Sequence, residues 1–136
     1  MNAPTSVPSS ISELRPGAIT RTTLALFAGA SGGDHNPIHI DIDSAKASGG
    51  MDDVFAHGML SMAYLGRLLT DWIPQSRILE LTTRFTAITP VHAEPVLRAE
   101  IRDTEVVDGQ ERARLDLEVE LADGTTTLKG TAVVAL

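Results

Sequence analysis

The sequence predicts an α+β fold in which one long apolar helix is wrapped by a curved antiparallel β-sheet. Across residues 58–72, apolar side chains cover nearly every side of a helix, which is typical of a helix that is buried. Beyond Pro74 the pattern changes to a period of two, with apolar residues alternating with charged or polar ones. Such strands form a sheet with one apolar face. Packing this face against the apolar helix buries both, so we expect the sheet to wrap around the helix.

Four segments show the alternation that is typical of strands: residues 79–87, 97–102, 113–121 and 125–136. Asp108-Gly109 and Asp123-Gly124 have the composition of tight hairpin turns, so the later strands should follow one another as a meander. The chain shows no internal repeat and no change of composition that would mark a second domain. We therefore expect a single domain over residues 1–136.

Two short helices are predicted before the long one. The first begins near Thr22 or Thr23, either of which can cap it, and the second begins at Asp43. The loop after the second helix carries Asp52 and Asp53, and we expect both carboxylates to be solvated.

Composition narrows the classes of function. The net charge is −7 and lysines are scarce, which argues against a nucleic-acid surface. The absence of cysteine excludes disulfides and thiolate chemistry. Residues 1–10 are expected to form a loose tail without the features of a secretory signal, and no window is apolar enough to span a membrane. We expect a cytoplasmic protein.

The strongest chemical signal is the stretch from Asp34 to His39, which also contains Asn36 and Pro37. Proline fixes one backbone dihedral and biases Asn36 towards an extended conformation, so the two end side chains can be aimed reproducibly. An acid and an imidazole that converge on one water can remove a proton from it and supply one to a nearby carbon. The alternative interpretation is that Asp34 caps a helical turn while His39 packs beneath it.

A second signal is His57-Gly58 at the start of the long helix. The Gly58 N–H lacks an intrahelical partner there, and the helix dipole favours negative charge, so this amide could form half of an oxyanion hole. The alternative is that Gly58 only begins the helix. His57 is interpreted as a cap or gate, and Asn36 as holding the turn. The predicted substrate-binding residues are Gly58, Asn36 and His57. His35 should face solvent.

Acidic and histidine residues cluster in this part of the sequence, but their spacing matches no established zinc pattern, so we predict no metal site. Candidate members of such a cluster are Asp34, His35, His39, Asp41 and His57.

Three segments together resemble the MaoC-like, (R)-specific enoyl-thioester hydratase family. The first runs Phe27-Ala28-Gly29-Ala30-Ser31-Gly32-Gly33-Asp34-His35-Asn36-Pro37-Ile38-His39, the second is His57-Gly58-Met59-Leu60, and the third is Arg84-Phe85-Thr86-Ala87-Ile88-Thr89-Pro90-Val91. They occur in the family's order and span most of the chain. One departure is an extra glycine, since Gly32-Gly33 stands where the family commonly has a single glycine; we expect the loop to absorb it.

The resemblance implies the hot-dog fold, with Asp34 and His39 as the catalytic dyad and the Gly58 amide on the thioester carbonyl. It implies addition of water to a trans-2-enoyl thioester to give the (R)-3-hydroxyacyl product, or the reverse dehydration. No metal or redox cofactor is implied. The implied partners are an acyl-coenzyme A or acyl-carrier-protein substrate and a second subunit, giving a homodimer or a heterodimer. Two alternatives stay open: a hot-dog acyl-thioester hydrolase, and a non-catalytic acyl-binding subunit of a heteromeric dehydratase.

Overall fold

A computed structural model describes residue 8 and residues 10–136. The elements are α1 (Arg21–Ala30), a 3₁₀ turn (Pro37–His39), α2 (Ile42–Gly49), α3 (Gly58–Thr70), a second 3₁₀ turn (Gln75–Arg77), and the strands β1 (Ile78–Phe85), β2 (Pro95–Val107), β3 (Gln110–Leu121) and β4 (Thr126–Ala135). All predicted helices and strands are present. The second strand is longer than predicted, and the first ends two residues earlier.

The four strands form one antiparallel sheet in the order β1-β4-β3-β2. Both predicted hairpin turns are confirmed: Asp108 and Gly109 have positive φ angles of 51° and 78° between β2 and β3, and Gly124 has a φ of 87° between β3 and β4. The alternation in β3 buries five apolar side chains on one face, namely Ala113, Leu115, Leu117, Val119 and Leu121. That face forms one side of the main hydrophobic core.

Helix α3 lies on this apolar face. Leu65, Leu68 and Leu69 are buried against side chains from β2, β3 and β4. The prediction of a helix buried on all sides is wrong for this chain, because the sheet covers only one side and leaves Met59 and Arg67 exposed. The arrangement of a long helix against an antiparallel sheet is that of the predicted hot-dog fold.

The caps of the two short helices differ from the prediction. Thr20, rather than Thr22 or Thr23, caps α1: its hydroxyl accepts from the Thr23 N–H at 3.1 Å, and the Thr23 hydroxyl accepts in return from the Thr20 N–H. Asp41, rather than Asp43, caps α2 by accepting from the Ser44 N–H at 3.0 Å. The helices therefore begin earlier than predicted, at Arg21 and at Ile42, each directly after its cap.

Asp53 is partly exposed, but it also has a partner that was not predicted. Its two carboxylate oxygens accept hydrogen bonds from the Arg21 guanidinium at 3.0 and 2.6 Å, which joins α1 to the loop before α3. The guanidinium lowers the pKa of Asp53, and the Val54 N–H adds to this by donating to the same carboxylate. Asp52 is exposed, as predicted.

The two edges of the sheet differ. The edge of β2 is covered by residues 10–14: the Leu14 N–H donates to the Leu97 carbonyl, and Leu97 returns the bond, both at 3.0 Å. The outer edge of β1 has no such cover within the described part of the chain. The predicted tail at residues 1–10 lies almost entirely outside the described residues, although Ser10 bridges to Glu100. No helix in the described part is long and apolar enough to cross a membrane.

Candidate functional site

The site begins at the turn that the proline predicts. Pro37 opens a 3₁₀ turn that ends at His39, and the Asn36 side-chain oxygen accepts from the Ile38 N–H at 3.3 Å. This confirms that Asn36 holds the turn. Its side chain is exposed and is not part of the pocket lining described below, and its other predicted role, in binding substrate, stays a prediction.

The loop before the turn absorbs the extra glycine. Gly32 and Gly33 have φ angles of 78° and 148°, a region that side-chain-bearing residues rarely adopt. The Asp34 N–H is then within 3.3 Å of the Ser31 hydroxyl, which closes the loop onto the end of α1. The insertion is therefore taken up before Asp34 rather than between Asp34 and His39.

His39 is buried, with only 8% of its surface exposed, and one of its ring nitrogens has a fixed role. Nδ1 lies 2.7 Å from the Phe55 carbonyl oxygen, and since a carbonyl can only accept, Nδ1 carries the proton. In the neutral ring Nε2 then has a free lone pair. The Phe55 ring also meets the His39 ring edge-on at 5.1 Å.

Asp34 and His39 come together as predicted, and His57 joins them. A carboxylate oxygen of Asp34 and one ring nitrogen from each histidine all lie within 4.8 Å of one another. The alternative interpretation, in which Asp34 caps the turn, is not what the structure shows, because Asn36 is the cap. Asp34 is half-buried, whereas His35 is exposed as predicted.

His57 occupies the N-cap position of α3, as predicted, but its side chain makes no capping hydrogen bond, and it does not line the pocket. Its ring is 1% exposed, and its Nε2 donates to the Asp34 backbone carbonyl at 3.2 Å. Burial lowers the pKa of His57, and the neighbouring His39 lowers it further, against a smaller opposite effect of the Asp34 carbonyl. That His57 contacts substrate stays a prediction.

Gly58 and His39 line one cavity of about 150 Å³, which is the pocket of this site. The lining residues are His39, Phe55, Ala56, Gly58, Ser61, Phe85, Ala87, Ile88, Thr89 and Thr127. Within the described residues, the Gly58 N–H at the start of α3 has no hydrogen-bond partner. Two larger hollows, of about 290 and 350 Å³, lie along the sheet among charged and threonine side chains and contain none of the predicted site residues.

The Phe85 ring lies against Gly58. A Cβ atom at position 58 would be only 2.9 Å from Cε1 of Phe85, closer than such atoms approach in proteins. With the ring in this position a side chain does not fit at residue 58, so the Phe85 ring would have to move to admit one. Phe85 is half-exposed, so no packed neighbour encloses the whole ring.

Asp34, His39 and His57 also form a set of ligand types that a divalent cation accepts. The two imidazole rings stack closely, with centroids 4.0 Å apart, whereas two imidazoles on one ion must spread so that both lone pairs reach it. The absence of a metal stays a prediction.

Sequence reasoning missed several groups that build the site. The Phe55 carbonyl and the Phe27 ring, which meets His57 edge-on at 4.9 Å, were not assigned, although Phe27 opens the first matching segment. The buried hydroxyl residues Ser61, Thr89 and Thr127 in the pocket carried no sequence signal.

A scan against protein-family models matches residues 5–125 to the family described as MaoC like domain. A search of curated proteins found no match. Among solved structures, the chain is 28% identical to R-hydratase PhaJ1 from Pseudomonas aeruginosa in the unliganded form, with a TM-score of 0.78 and coverage of 91% of this chain and 78% of that one. This likeness, together with the family match, supports hydratase or dehydratase chemistry in general.

Two further structures show likeness of fold. The (R)-hydratase from A. caviae involved in PHA biosynthesis is 24% identical, with a TM-score of 0.81 over 97% of this chain and 98% of that one. The ChsH1-ChsH2 complex from Mycobacterium tuberculosis is 21% identical, with a TM-score of 0.78 over 97% and 98% of the two chains. These matches confirm the predicted hot-dog fold.

Proposed function

Because the chain belongs to the MaoC-like domain family, we propose that it is an (R)-specific hydratase of trans-2-enoyl thioesters, or that it runs the reverse dehydration. The observation that carries this proposal is the meeting of Asp34 with His39 next to a pocket that also holds the Gly58 amide. The relative from Pseudomonas aeruginosa is described as an R-hydratase, which supports the same reaction class.

In the proposed hydration, one water lies between the Asp34 carboxylate and Nε2 of His39. Nε2 can take a proton because Nδ1 keeps its own on the Phe55 carbonyl. As the proton leaves, the water oxygen bonds to C3 of the enoyl group and the double-bond electrons move towards the thioester carbonyl. A proton returned to C2 completes the addition, so the reaction consumes water and needs no other reagent.

The Gly58 N–H would stabilise the enolate that forms during this addition. It is the first amide of α3, its N–H is unpartnered within the described chain, and the positive end of the helix dipole lies at the same place. The thioester would reach it past the Phe85 ring.

The cavity favours a short acyl group. At about 150 Å³ it matches the size of a protein cavity that accommodates benzene, which corresponds to roughly six carbon atoms. We propose that the acyl group has about four to six carbons, carried on coenzyme A or acyl carrier protein.

We also propose that two copies of the chain pair along the free edge of β1, giving a homodimer. Unpaired strand edges invite pairing with another chain. The exposed apolar side chains Leu79, Phe85 and Ile88 lie on or just after this strand, and the last two also line the pocket. A neighbouring subunit at this edge would therefore lie beside the site, and a related heterodimer would use the same edge.

The test is hydration of crotonyl-coenzyme A, followed by loss of enoyl absorbance, with chiral analysis of the product. Asp34→Asn and His39→Gln should each lower kcat/KM by about 100-fold or more, the usual scale for acid–base groups. His35→Gln is the matched control and should match wild type, because His35 is exposed.

The outcome also separates the alternatives. Turnover of either dyad variant close to that of wild type contradicts the proposed mechanism. Release of free thiol without loss of the enoyl group would instead show a thioester hydrolase. A protein that is inert alone but active with a second, related chain would be one subunit of a heteromeric enzyme.

A further inference from the structure

His57 is a polar residue in a place where polar side chains are costly. It is 1% exposed, it lies directly before α3, and it contacts neither solvent nor the pocket. Its Nδ1 is buried without any hydrogen-bond partner among the described residues. A buried acceptor without a donor destabilises the fold, so an apolar residue of similar size would serve packing better. The contacts of the other ring nitrogen suggest what the histidine does.

The first contact ties the Asp34 loop to the long helix. His57 Nε2 donates to the Asp34 carbonyl at 3.2 Å across 23 residues of sequence. The loop that precedes Asp34 contains Gly32 and Gly33, whose backbone freedom would otherwise allow the Asp34 carboxylate several positions. The bond from His57 therefore restrains the Asp34 backbone, and through it the position of the Asp34 carboxylate, relative to the start of α3.

The second contact supports the His39 ring. The two imidazoles stack with centroids 4.0 Å apart and planes tilted by 31°. His57 is itself held edge-on by Phe27 at 4.9 Å, and His39 is held edge-on by Phe55 at 5.1 Å. These four rings form a continuous row, which fixes the plane of His39 and hence the direction of its Nε2.

The charge state of His57 fits this arrangement. A proton on His39 during turnover would face a second positive charge at 4.0 Å if His57 were also charged. Burial and His39 both lower the pKa of His57, and only Asp34 opposes them, which favours the neutral form of His57. The groups that face His57 are thus His39 on the 3₁₀ turn, Asp34 on the loop, and the uncharged Phe27 on α1.

We infer that His57 is a positioning residue. It fixes the Asp34 backbone and the His39 ring relative to each other, so that both side chains reach one water. This inference rests on the proposed function and extends it to a residue outside the pocket lining.

Two substitutions separate the two contacts. His57→Phe keeps the stacked ring and removes the donor to Asp34, whereas His57→Gln keeps an amide donor and removes the ring. A misplacement of about 1 Å at a reacting group can cost about 100-fold, so His57→Phe should lower kcat by roughly 10- to 100-fold. KM should change less than about threefold, because His57 does not line the pocket. His57→Gln should recover part of that loss, and His35→Gln is again the control.

These measurements are made at a temperature where circular dichroism shows each variant to be folded. A merely structural role would lower the melting temperature and leave kcat of the folded protein unchanged, which would overturn the inference. Equal losses of kcat in both variants, with no partial recovery in His57→Gln, would overturn the role of the hydrogen bond.

A third measurement uses the unaltered protein and does not depend on activity. Two-dimensional ¹H–¹⁵N NMR of the histidine rings at pH 7 to pH 8 should show His57 neutral and protonated on Nε2, and His39 protonated on Nδ1. A charged His57 at pH 7, or the opposite tautomer, would overturn the inference even if the chain proved to catalyse another reaction. Conversely, an inactive protein with these tautomers would contradict only the proposed function.

Discussion

Replacing Gly58 by alanine tests the placement of the thioester at the start of α3. The added methyl group would lie 2.9 Å from Cε1 of Phe85, so this half-exposed ring must swing aside. The methyl group also occupies the space through which a carbonyl would approach the Gly58 N–H. Loss of one oxyanion-hole donor costs about 100- to 1,000-fold in rate, and we expect kcat/KM for crotonyl-coenzyme A to fall about 100-fold.

The stability of Gly58→Ala, in contrast to its activity, should rise slightly or stay unchanged. Alanine is favoured over glycine within a helix by up to about 1 kcal/mol, corresponding to roughly 4 °C in melting temperature for a chain of this size. Displacing the Phe85 ring offsets part of this gain. Gly66→Ala is the matched control, since it lies in the same helix and its added Cβ would meet nothing within 4 Å. It should melt slightly higher than wild type with unchanged activity.

A double variant separates the two effects of the methyl group. If the methyl group itself blocks the carbonyl, the Gly58→Ala/Phe85→Ala double variant should be less active than Phe85→Ala alone. If the double variant is as active as Phe85→Ala, the loss in Gly58→Ala came from the displaced ring. A Gly58→Ala enzyme with kcat/KM within about twofold of wild type would refute the assignment of the Gly58 amide to the thioester.

Three further predictions follow from the pocket, the ion pair and the sheet edge. Ser61→Val should reduce the ratio of six-carbon to four-carbon turnover by roughly tenfold, because it narrows the cavity by about one methyl group; an unchanged ratio contradicts the proposed acyl site. Asp53→Asn should melt below wild type at pH 7. Since Arg21 lowers the pKa of Asp53 from 3.8, the pair stabilises the fold above that pH, and the difference should vanish as pH falls through the lowered pKa; a constant difference from pH 7 to pH 2 argues against the pair. Leu79→Lys should shift the protein towards monomer in light scattering, whereas Val106→Lys, at a more exposed apolar site on β2, should not; identical masses for both would contradict pairing at β1.

The helices and strands, and their order, could be predicted from the amino-acid sequence. The strand alternation, the two Asp-Gly turns and the apolar run after Gly58 are local patterns, and each depends only on the backbone period of two or 3.6 residues. The turn from Asp34 to His39 was also predictable, because Pro37 restricts the backbone within a few residues of both side chains. The predicted helix caps lie two or three residues too late, since several neighbouring Thr or Asp residues are equally able to cap.

The contacts between residues that are distant in the sequence could be seen only in the tertiary structure. The bond from His57 to Asp34, the Phe55 carbonyl on His39, the Phe85 ring over Gly58 and the pairing of Arg21 with Asp53 each join residues at least 16 positions apart. Such contacts leave no periodic signal, because they depend on how the helix and loops pack against the sheet. The same packing decides that α3 keeps one open face, which its sequence alone did not show, since a sheet from one chain can cover only the side of the helix that faces it.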